Sequence, residues 1–225
     1  MVGTDLADYR RVRNRLARGV HADDVSVNDV VLATISGAFR TWLLTRGAPV
    51  HSATGVRALV PVSVETEGSD GLNQLSACLV DLPVGEPAAS MRLHQIAFHM
   101  RQQIEGGRAV GADRLAGMAG FASPTLHSMG ARLGSAMSKR LFNVIVTNVP
   151  GPQSSLYAGD ARMIATYPVI PLAKGQALAI GLTSYDGGVY FGLNADRDAM
   201  PDLDVLGQSI VDSLAELADA GEVAR

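Results

Sequence analysis

The chain has five histidines, the first candidates for acid–base chemistry because imidazole titrates near neutral pH. They are His21, His51, His94, His99 and His127. None stands in an HxxxD or HExxH spacing, and His94 and His99 would lie about 140° apart around a helix, on different faces. We therefore interpret all five as solvated or capping residues and predict no metal site.

The common nucleophile and phosphate-binding patterns are also missing. No serine lies in a GxSxG turn, and Cys78 has no basic neighbour in sequence that could activate its thiol. The stretch from Gly175 to Gly181 reads GQALAIG, which is not a GxGxxG loop. The sequence thus predicts a buried, unreactive Cys78 and no catalytic residue in this chain.

Two pairs of polar residues occupy positions that could face a ligand. Asn28 and Asp29 open a long amphipathic segment, where helix capping explains Asp29 fully and Asn28 in part. Thr147 and Asn148 interrupt an apolar strand just before the Pro150-Gly151-Pro152 turn. A tight turn would account for them, but polar side chains beside a rigid turn are also typical of a ligand-facing edge.

Hydrophobic periodicity predicts the elements that must position these residues. Ser26 and Asp29 form a capping-box pattern for a helix that runs to Arg46 and ends at Gly47. Other helices are predicted over residues 5–18, 87–105, 123–140 and from Pro201 onward. Strands are predicted over residues 56–64, 75–82, 143–149, 177–183 and 189–193, with SYDGG as the turn between the last two.

This order of elements favours one α/β domain of the two-layer α+β type, with a mixed sheet flanked by helices. Pro61 indicates that the strand over residues 56–64 is an edge strand or carries a bulge. The apolar centre of the strand over residues 75–82 indicates burial on both faces.

Composition excludes several classes of protein. The chain has 225 residues, 47% of them apolar and 18% charged, which fits a globular protein with a sizeable core. A net charge of -3 argues against a nucleic-acid partner. The single cysteine suits a reducing compartment, and no apolar stretch approaches the roughly 20 residues of a spanning helix. We expect a cytoplasmic protein, and leave open peripheral contact with the inner membrane face or a lipid droplet.

Several of these stretches, in this order, resemble the wax ester synthase/diacylglycerol acyltransferase (WS/DGAT) family of actinobacteria. They are VNDVVLATISGAFRTWLLTRG, RALVPVSV, NQLSACLVDLPVGEP, NVIVTNVPGPQ and PLAKGQALAIGLTSYDGGVYFGLNADRD. The resemblance extends from about residue 26 to about residue 218, which is most of the chain. A single NVPGP would not be specific, but this combination and its order are.

The resemblance implies the C-terminal half of the CoA-dependent acyltransferase fold, which is similar to chloramphenicol acetyltransferase. Residues 1–25 would then be a lead-in or interdomain segment, and residues 26–225 the C-terminal domain. In that family two α/β halves enclose a tunnel, and an HHxxxDG motif in the N-terminal half deprotonates the hydroxyl that attacks the acyl-CoA thioester. The C-terminal half shapes the acyl-CoA and acceptor channels.

The family's ND and NVPGP motifs carry over to Asn28–Asp29 and to Asn148–Pro152. With Thr147 added, the candidate channel residues are Asn28, Asp29, Thr147, Asn148, Pro150, Gly151 and Pro152. The family's PLYLAG-like stretch is altered here to Leu156-Tyr157-Ala158-Gly159, and HHxxxDG does not occur in the sequence.

The resemblance therefore implies half of an O-acyltransferase that makes triacylglycerol or wax ester, with acyl-CoA as a substrate and no cofactor. The acceptor, diacylglycerol or a fatty alcohol, is left open, as are the acyl-chain length and the oligomeric state. Alone, the chain is expected to be inactive and to expose an apolar surface for an N-terminal acyltransferase half or for a self-dimer. The alternatives are a non-catalytic remnant that binds acyl-CoA or lipid or docks to an intact homologue, and an unrelated α/β binding domain.

Overall fold

The computed structural model describes residues 1–17, 25–64, 74–106, 110–111, 141–172 and 175–223. Its helices are α1 (Leu6–Leu16), α2 (Val27–Thr45), α3 (Ala89–Glu105) and α4 (Leu203–Val223). Its strands are β1 (Val2–Asp5), β2 (Val56–Val64), β3 (Gln74–Leu82), β4 (Val110–Gly111), β5 (Val144–Pro150), β6 (Tyr157–Ala158), β7 (Ala161–Arg162), β8 (Leu178–Tyr185) and β9 (Gly188–Ala195). The helix predicted over residues 123–140 lies outside the described residues.

The main sheet has seven described strands in the order β1-β9-β8-β5-β2-β3-β4, and β6 and β7 form a separate small hairpin. β5 lies parallel to both β2 and β8, whereas the other neighbouring pairs of the main sheet are antiparallel. The prediction of a mixed sheet is therefore confirmed.

The four described helices cover one face of this sheet, so the described residues form a helical layer on a sheet, in agreement with the predicted two-layer type. The large core cluster combines side chains of all four helices with alternate residues of the strands, such as Val144 and Val146 of β5. The intervening Ile145 points to the opposite face, where it packs with Leu59, Ala77 and Phe142. Cys78 and Val80 of β3 are buried under the helices and Ala77 is buried on the opposite face, but Leu79 on that face is only half-buried, so the predicted burial on both faces holds at Ala77 and not along the whole strand.

Helix α2 begins where its capping box predicts. The Ser26 side chain accepts from the backbone N–H of Asp29, and the Asp29 side chain accepts from the backbone N–H of Ser26. Twelve of its 19 residues are buried, which explains why the apolar pattern extends around much of the helix.

Helix α3 is anchored at its start by Arg92, which is fully buried. Its guanidinium donates to the backbone carbonyls of Glu86 and Pro87, each at 3.0 Å, and forms an ion pair with Glu216 of α4. These bonds fix α3 against α4 and against the loop that precedes it, so the rest of α3 lies in a defined position over the sheet.

Residues 1–17 pack against the main core and the main sheet. The predicted helix over residues 5–18 is α1, and its Tyr9 and Val12 are buried in the main core. Strand β1, which the sequence did not predict, pairs antiparallel with β9 from Val2–Phe191 to Asp5–Gly188. A four-residue strand is too short to show periodicity, and its partner lies far away in sequence. The domain boundary at residue 25 stays a prediction.

Strands β8 and β9 form the predicted hairpin. Asp186 and Gly187 make its two-residue loop with φ of 45° and 84°, as the favoured hairpin turns require. Helix α4 buries Leu206, Ile210, Leu214 and Leu217, as its periodicity predicted, and Leu203 is half-buried.

Pro61 marks no bulge and β2 is not an edge strand of the sheet, but Pro61 lies in a part of β2 that, among the described strands, pairs with β3 alone. β2 lies between β5 and β3, and its register with β3 is continuous from Val56–Leu82 to Val64–Gln74. Its parallel pairs with β5 end at Leu59–Ile145, two residues before Pro61. The missing N–H of Pro61 therefore removes no hydrogen bond from that ladder, so an interior strand tolerates this proline.

Candidate functional site

A cleft opens where the parallel strands β2 and β5 part. Beyond Leu59–Ile145 the ladder between them ends, while β5 continues beside β8 as far as Pro150–Ser184. The start of α2 and the second half of α3 border this open cavity, whose volume of about 580 Å³ is within the size range of small-molecule sites. The described residues that line it are Ser26, Asn28, Asp29, Pro61, Val62, Ala97, Met100, Arg101, Ile104, Glu105, Asn148 and Pro150.

Four of the seven residues predicted from the sequence line this cavity: Asn28, Asp29, Asn148 and Pro150. Strand alternation explains why Thr147 does not. Val144 and Val146 face the helices, so Asn148 faces them too, whereas Thr147 points to the other side of the sheet with Ile145.

Asn28 and Asn148 meet across the cavity wall. The side-chain amide of Asn148 donates to Oδ1 of Asn28 at 3.2 Å, which joins the two motifs 120 residues apart. This bond uses one donor of Asn148 and one lone pair of Asn28, so the amide of Asn28 and the carbonyl oxygen of Asn148 keep hydrogen-bonding capacity for a ligand. The pair can thus both donate to and accept from a polar group.

Asp29 is buried and takes part in capping helix α2. Its carboxylate accepts from the backbone N–H and the hydroxyl of Ser26, both at 2.7 Å. Burial raises the pKa of Asp29 above its usual value, because desolvation outweighs these hydrogen bonds and the attraction of Arg101. Capping therefore accounts for Asp29, and Asn28 is the residue of the pair that is turned towards Asn148.

Asp29→Asn is expected to remove the loss of stability that the Asp29 carboxyl causes in the wild type as the pH rises. The pKa of Asp29 is higher in the folded chain than in the unfolded chain, where it is about 3.9. Its contribution to stability is then fully present below the unfolded pKa and is lost as the pH rises through the folded pKa. Measured from about pH 3 to neutral pH, the Tm of the wild type minus that of the variant should fall as the pH rises above about 3.9 and through the raised folded-state pKa. Thermal unfolding over that range measures the difference, and a difference that grows with pH would contradict the prediction.

Gly151 and Pro152 support the cavity from outside. The N–H of Gly151 reaches the hydroxyl of Ser184 at 3.4 Å, and the carbonyl of Pro152 accepts from the N–H of Asp186 at 3.1 Å. A Cβ on Gly151 would lie 2.3 Å from the carbonyl oxygen of Ser184. The turn therefore holds the end of β5 closely against the β8–β9 hairpin.

The other candidates for chemistry lie away from the cavity. His51, His94 and His99 are exposed, and His21 and His127 lie outside the described residues. Cys78 is buried, as predicted, and burial raises the pKa of its thiol. Within the described ranges no three His, Cys, Asp or Glu side chains are grouped so that they could hold a metal ion.

Sequence reasoning missed the wall that α3 contributes. Ala97, Met100 and Ile104 recur at helical spacing on one face and line the cavity with Arg101 and Glu105. The spacing is visible in the sequence, but an apolar stripe on a helix predicts packing against a core. Its role in a cavity depends on the separation of β2 from β5, which has no local signal.

Comparison with known families decides the affiliation of this chain. A family model described as the WS/DGAT C-terminal domain matches residues 72–218, well over half of the chain. This chain belongs to the WS/DGAT family. O-acyltransferase WSD of Acinetobacter baylyi is 30% identical over 199 residues, which cover 88% of this chain and 41% of that protein. A probable diacylglycerol O-acyltransferase of Mycobacterium tuberculosis is 31% identical over 214 residues, which cover 94% of this chain and 44% of that protein.

Solved structures agree with this affiliation. The wax ester synthase/diacylglycerol acyltransferase of Marinobacter aquaeolei matches with a TM-score of 0.73 and 27% identity, over 97% of this chain and 48% of that chain. An NRPS cyclization–docking bidomain from Sorangium cellulosum shares the fold alone, with a TM-score of 0.59 and 14% identity over 96% of this chain and 40% of that chain. The chain spans less than half the length of the WS/DGAT relatives it matches.

The chain thus contains a WS/DGAT C-terminal domain, with the fold that the sequence resemblance implied. The relatives named above are bacterial proteins described as an O-acyltransferase, a probable diacylglycerol O-acyltransferase and a wax ester synthase/diacylglycerol acyltransferase. Of the helices described, none combines the length and the apolar character that crossing a bilayer requires.

Proposed function

We propose that this WS/DGAT domain is half of an acyl-CoA-dependent O-acyltransferase that esterifies diacylglycerol or a fatty alcohol, and that its cavity forms part of the substrate channel. The observation that carries the proposal is the joining of Asn28 and Asn148 at the open end of two parallel strands, opposite an apolar wall of α3. Acyl-CoA is then a substrate, and no cofactor is involved.

The two walls of the cavity suit the two parts of such a substrate. The amides of Asn28 and Asn148 can bind a carbonyl or hydroxyl group, because together they offer donors and acceptors. Ala97, Met100 and Val62 offer apolar surface to a hydrocarbon chain. Positioning an ester-forming pair in this way lowers the entropic part of the barrier, without any proton transfer by these residues.

The proton transfer is assigned to the other half of the enzyme. No histidine lines the described part of the cavity, and an amide is not a general base. In the proposed enzyme an HHxxxDG-bearing half removes the proton from the acceptor hydroxyl, and this domain holds the reacting groups near it.

Exposed apolar side chains are consistent with a partner. Val149, Tyr157, Ile164 and Val169 are exposed, at 62%, 64%, 84% and 68% respectively. Val149 lies on the sheet face away from the helices, in line with Ile145. We propose that the N-terminal half covers such residues, and a self-dimer is the alternative occupant.

Asn148→Ala is expected to weaken the binding of palmitoyl-CoA without unfolding the domain. A lost hydrogen bond to a ligand costs about 1 kcal/mol, or about fivefold in Kd. Isothermal titration calorimetry measures the affinity, and thermal unfolding measures the stability of the same variant. The titration is repeated with an HHxxxDG-bearing half present, because that half contributes to the channel.

Asn143→Ala is the matched control. Asn143 lies just before β5, and its Oδ1 accepts from the backbone N–H of Arg57 at 2.8 Å, outside the cavity lining. This variant should lose stability and keep its affinity. If Asn148→Ala instead lowers the Tm and leaves the affinity unchanged, Asn148 is a structural turn residue and the proposed channel loses its main support.

A further inference from the structure

We infer that Ala97 and Met100 of α3 form the inner end of the cavity and set the length of the hydrocarbon tail it accepts. This inference rests on the proposed function, because it assigns a substrate determinant to the same cavity. Neither residue belongs to the ND or NVPGP motif.

The burial of the α3 wall defines its inner and outer ends. Ala97 and Met100 are 3% and 5% exposed, whereas Ile104 is 45% exposed and Glu105 is also exposed. Seven residues of helix separate Ala97 from Ile104, a rise of about 10 Å. The wall therefore runs from a charged, solvent-facing rim to an apolar, buried end.

The strand residues that line the cavity show the same difference between a more buried and a more exposed end. Val62 and Pro61 of β2 are half-buried and apolar, and Pro150 at the outer end of β5 is exposed. The polar groups of Asn28 and Asn148 lie on the wall formed by α2 and β5. A straight-chain amphiphile fits this arrangement with its tail along α3, because the end of its hydrocarbon part then lies against the buried side chains and away from water.

Ala97 and Met100 differ in side-chain size, and so in how much of the inner end of the cavity each one fills. Alanine is the smallest side chain that still closes a wall, so a larger residue at position 97 would shorten the cavity. Methionine is long and flexible, so its truncation at position 100 would lengthen the cavity. The two substitutions should act in opposite directions, which a general loss of folding cannot do.

Straight-chain 1-alkanols from butanol to dodecanol are the probe, with binding to the purified chain measured by calorimetry. For the wild type the affinity should rise about fourfold for each added methylene until the tail reaches Ala97, and then level off. In Ala97→Leu the levelling should occur about two carbons earlier, and in Met100→Ala about two carbons later. Ala97→Val repeats the first test if the leucine variant unfolds.

Ala88→Leu is the matched control, because Ala88 is exposed, directly precedes α3 and does not line the cavity. It should leave the length profile unchanged. An unchanged profile in Ala97→Leu and Met100→Ala, an equal loss of affinity at every length, or a wild-type affinity that does not depend on length would overturn the inference. If the alkanol profiles shift as expected while palmitoyl-CoA does not bind, the inference stands and the proposed acyl-CoA function fails.

Discussion

Palmitoyl-CoA and diolein should remain unreacted when this chain is the only polypeptide present, and free CoA should appear once an HHxxxDG-bearing N-terminal half is added. The described cavity residues include no histidine, and general-base catalysis contributes about 10²–10⁴-fold to such reactions. The effect of adding the second half should therefore be close to all or none. A thiol reagent that detects free CoA follows the reaction.

The control is an N-terminal half in which both motif histidines are changed to alanine, which should bind this chain but leave CoA release at the background rate. Release by this chain alone that disappears with a point mutation in it would disprove the assignment of the base. Binding of acyl-CoA without CoA release in the presence of the intact half would favour a non-catalytic, lipid-binding domain.

Gly151→Ala should destabilise the domain by about 2 kcal/mol, equivalent to a decrease in Tm of about 4–8 °C. The new Cβ would lie 2.3 Å from the backbone oxygen of Ser184, and backbone cannot move aside as a flexible side chain can. This clash would displace the end of β5, which carries Asn148. In the Gly151→Ala background, the Kd for palmitoyl-CoA should therefore change less on Asn148→Ala than it does in the wild-type background.

Gly55→Ala is the matched control for this substitution. A Cβ on Gly55 would lie 3.5 Å from its nearest neighbouring atom, the carbonyl oxygen of Leu82, which is ordinary van der Waals contact. Its free energy of unfolding should change by less than about 0.5 kcal/mol. Equal effects of the two substitutions in thermal unfolding would show that the close approach at Gly151 does not constrain the turn.

Elements with local physical causes could be predicted closely from the sequence. The capping box at Ser26 and Asp29 begins α2 where the hydrogen bonds of its first turn begin. The Asp186-Gly187 dipeptide supplies the two positive φ angles of a tight hairpin. The leucine and isoleucine spacing of α4 matches its buried face.

The candidate site was predictable only in part. The polar residues Asn28 and Asn148 were identifiable because they stand at the start of a helix and the end of a strand. Successive side chains along a strand point to opposite faces of the sheet, so the prediction of a strand here already implied that Thr147 and Asn148 cannot face the same side. The α3 residues Ala97 and Met100 were not identifiable, because buried apolar side chains look the same in sequence whether they contact a core or an empty cavity.

By itself, the sequence determined the four described helices, most of the described strands, the mixed α/β character and the WS/DGAT resemblance, because capping, turn formation and periodicity act between residues close together in the chain. Only the tertiary structure decided which strands are neighbours. It therefore also decided where Pro61 lies in the sheet and that β1 pairs with β9. The meeting of Asn28 with Asn148, 120 residues apart, has the same origin. It depends on β2 and β5 lying parallel and then separating, a long-range packing outcome of the whole sheet that no short stretch of residues specifies.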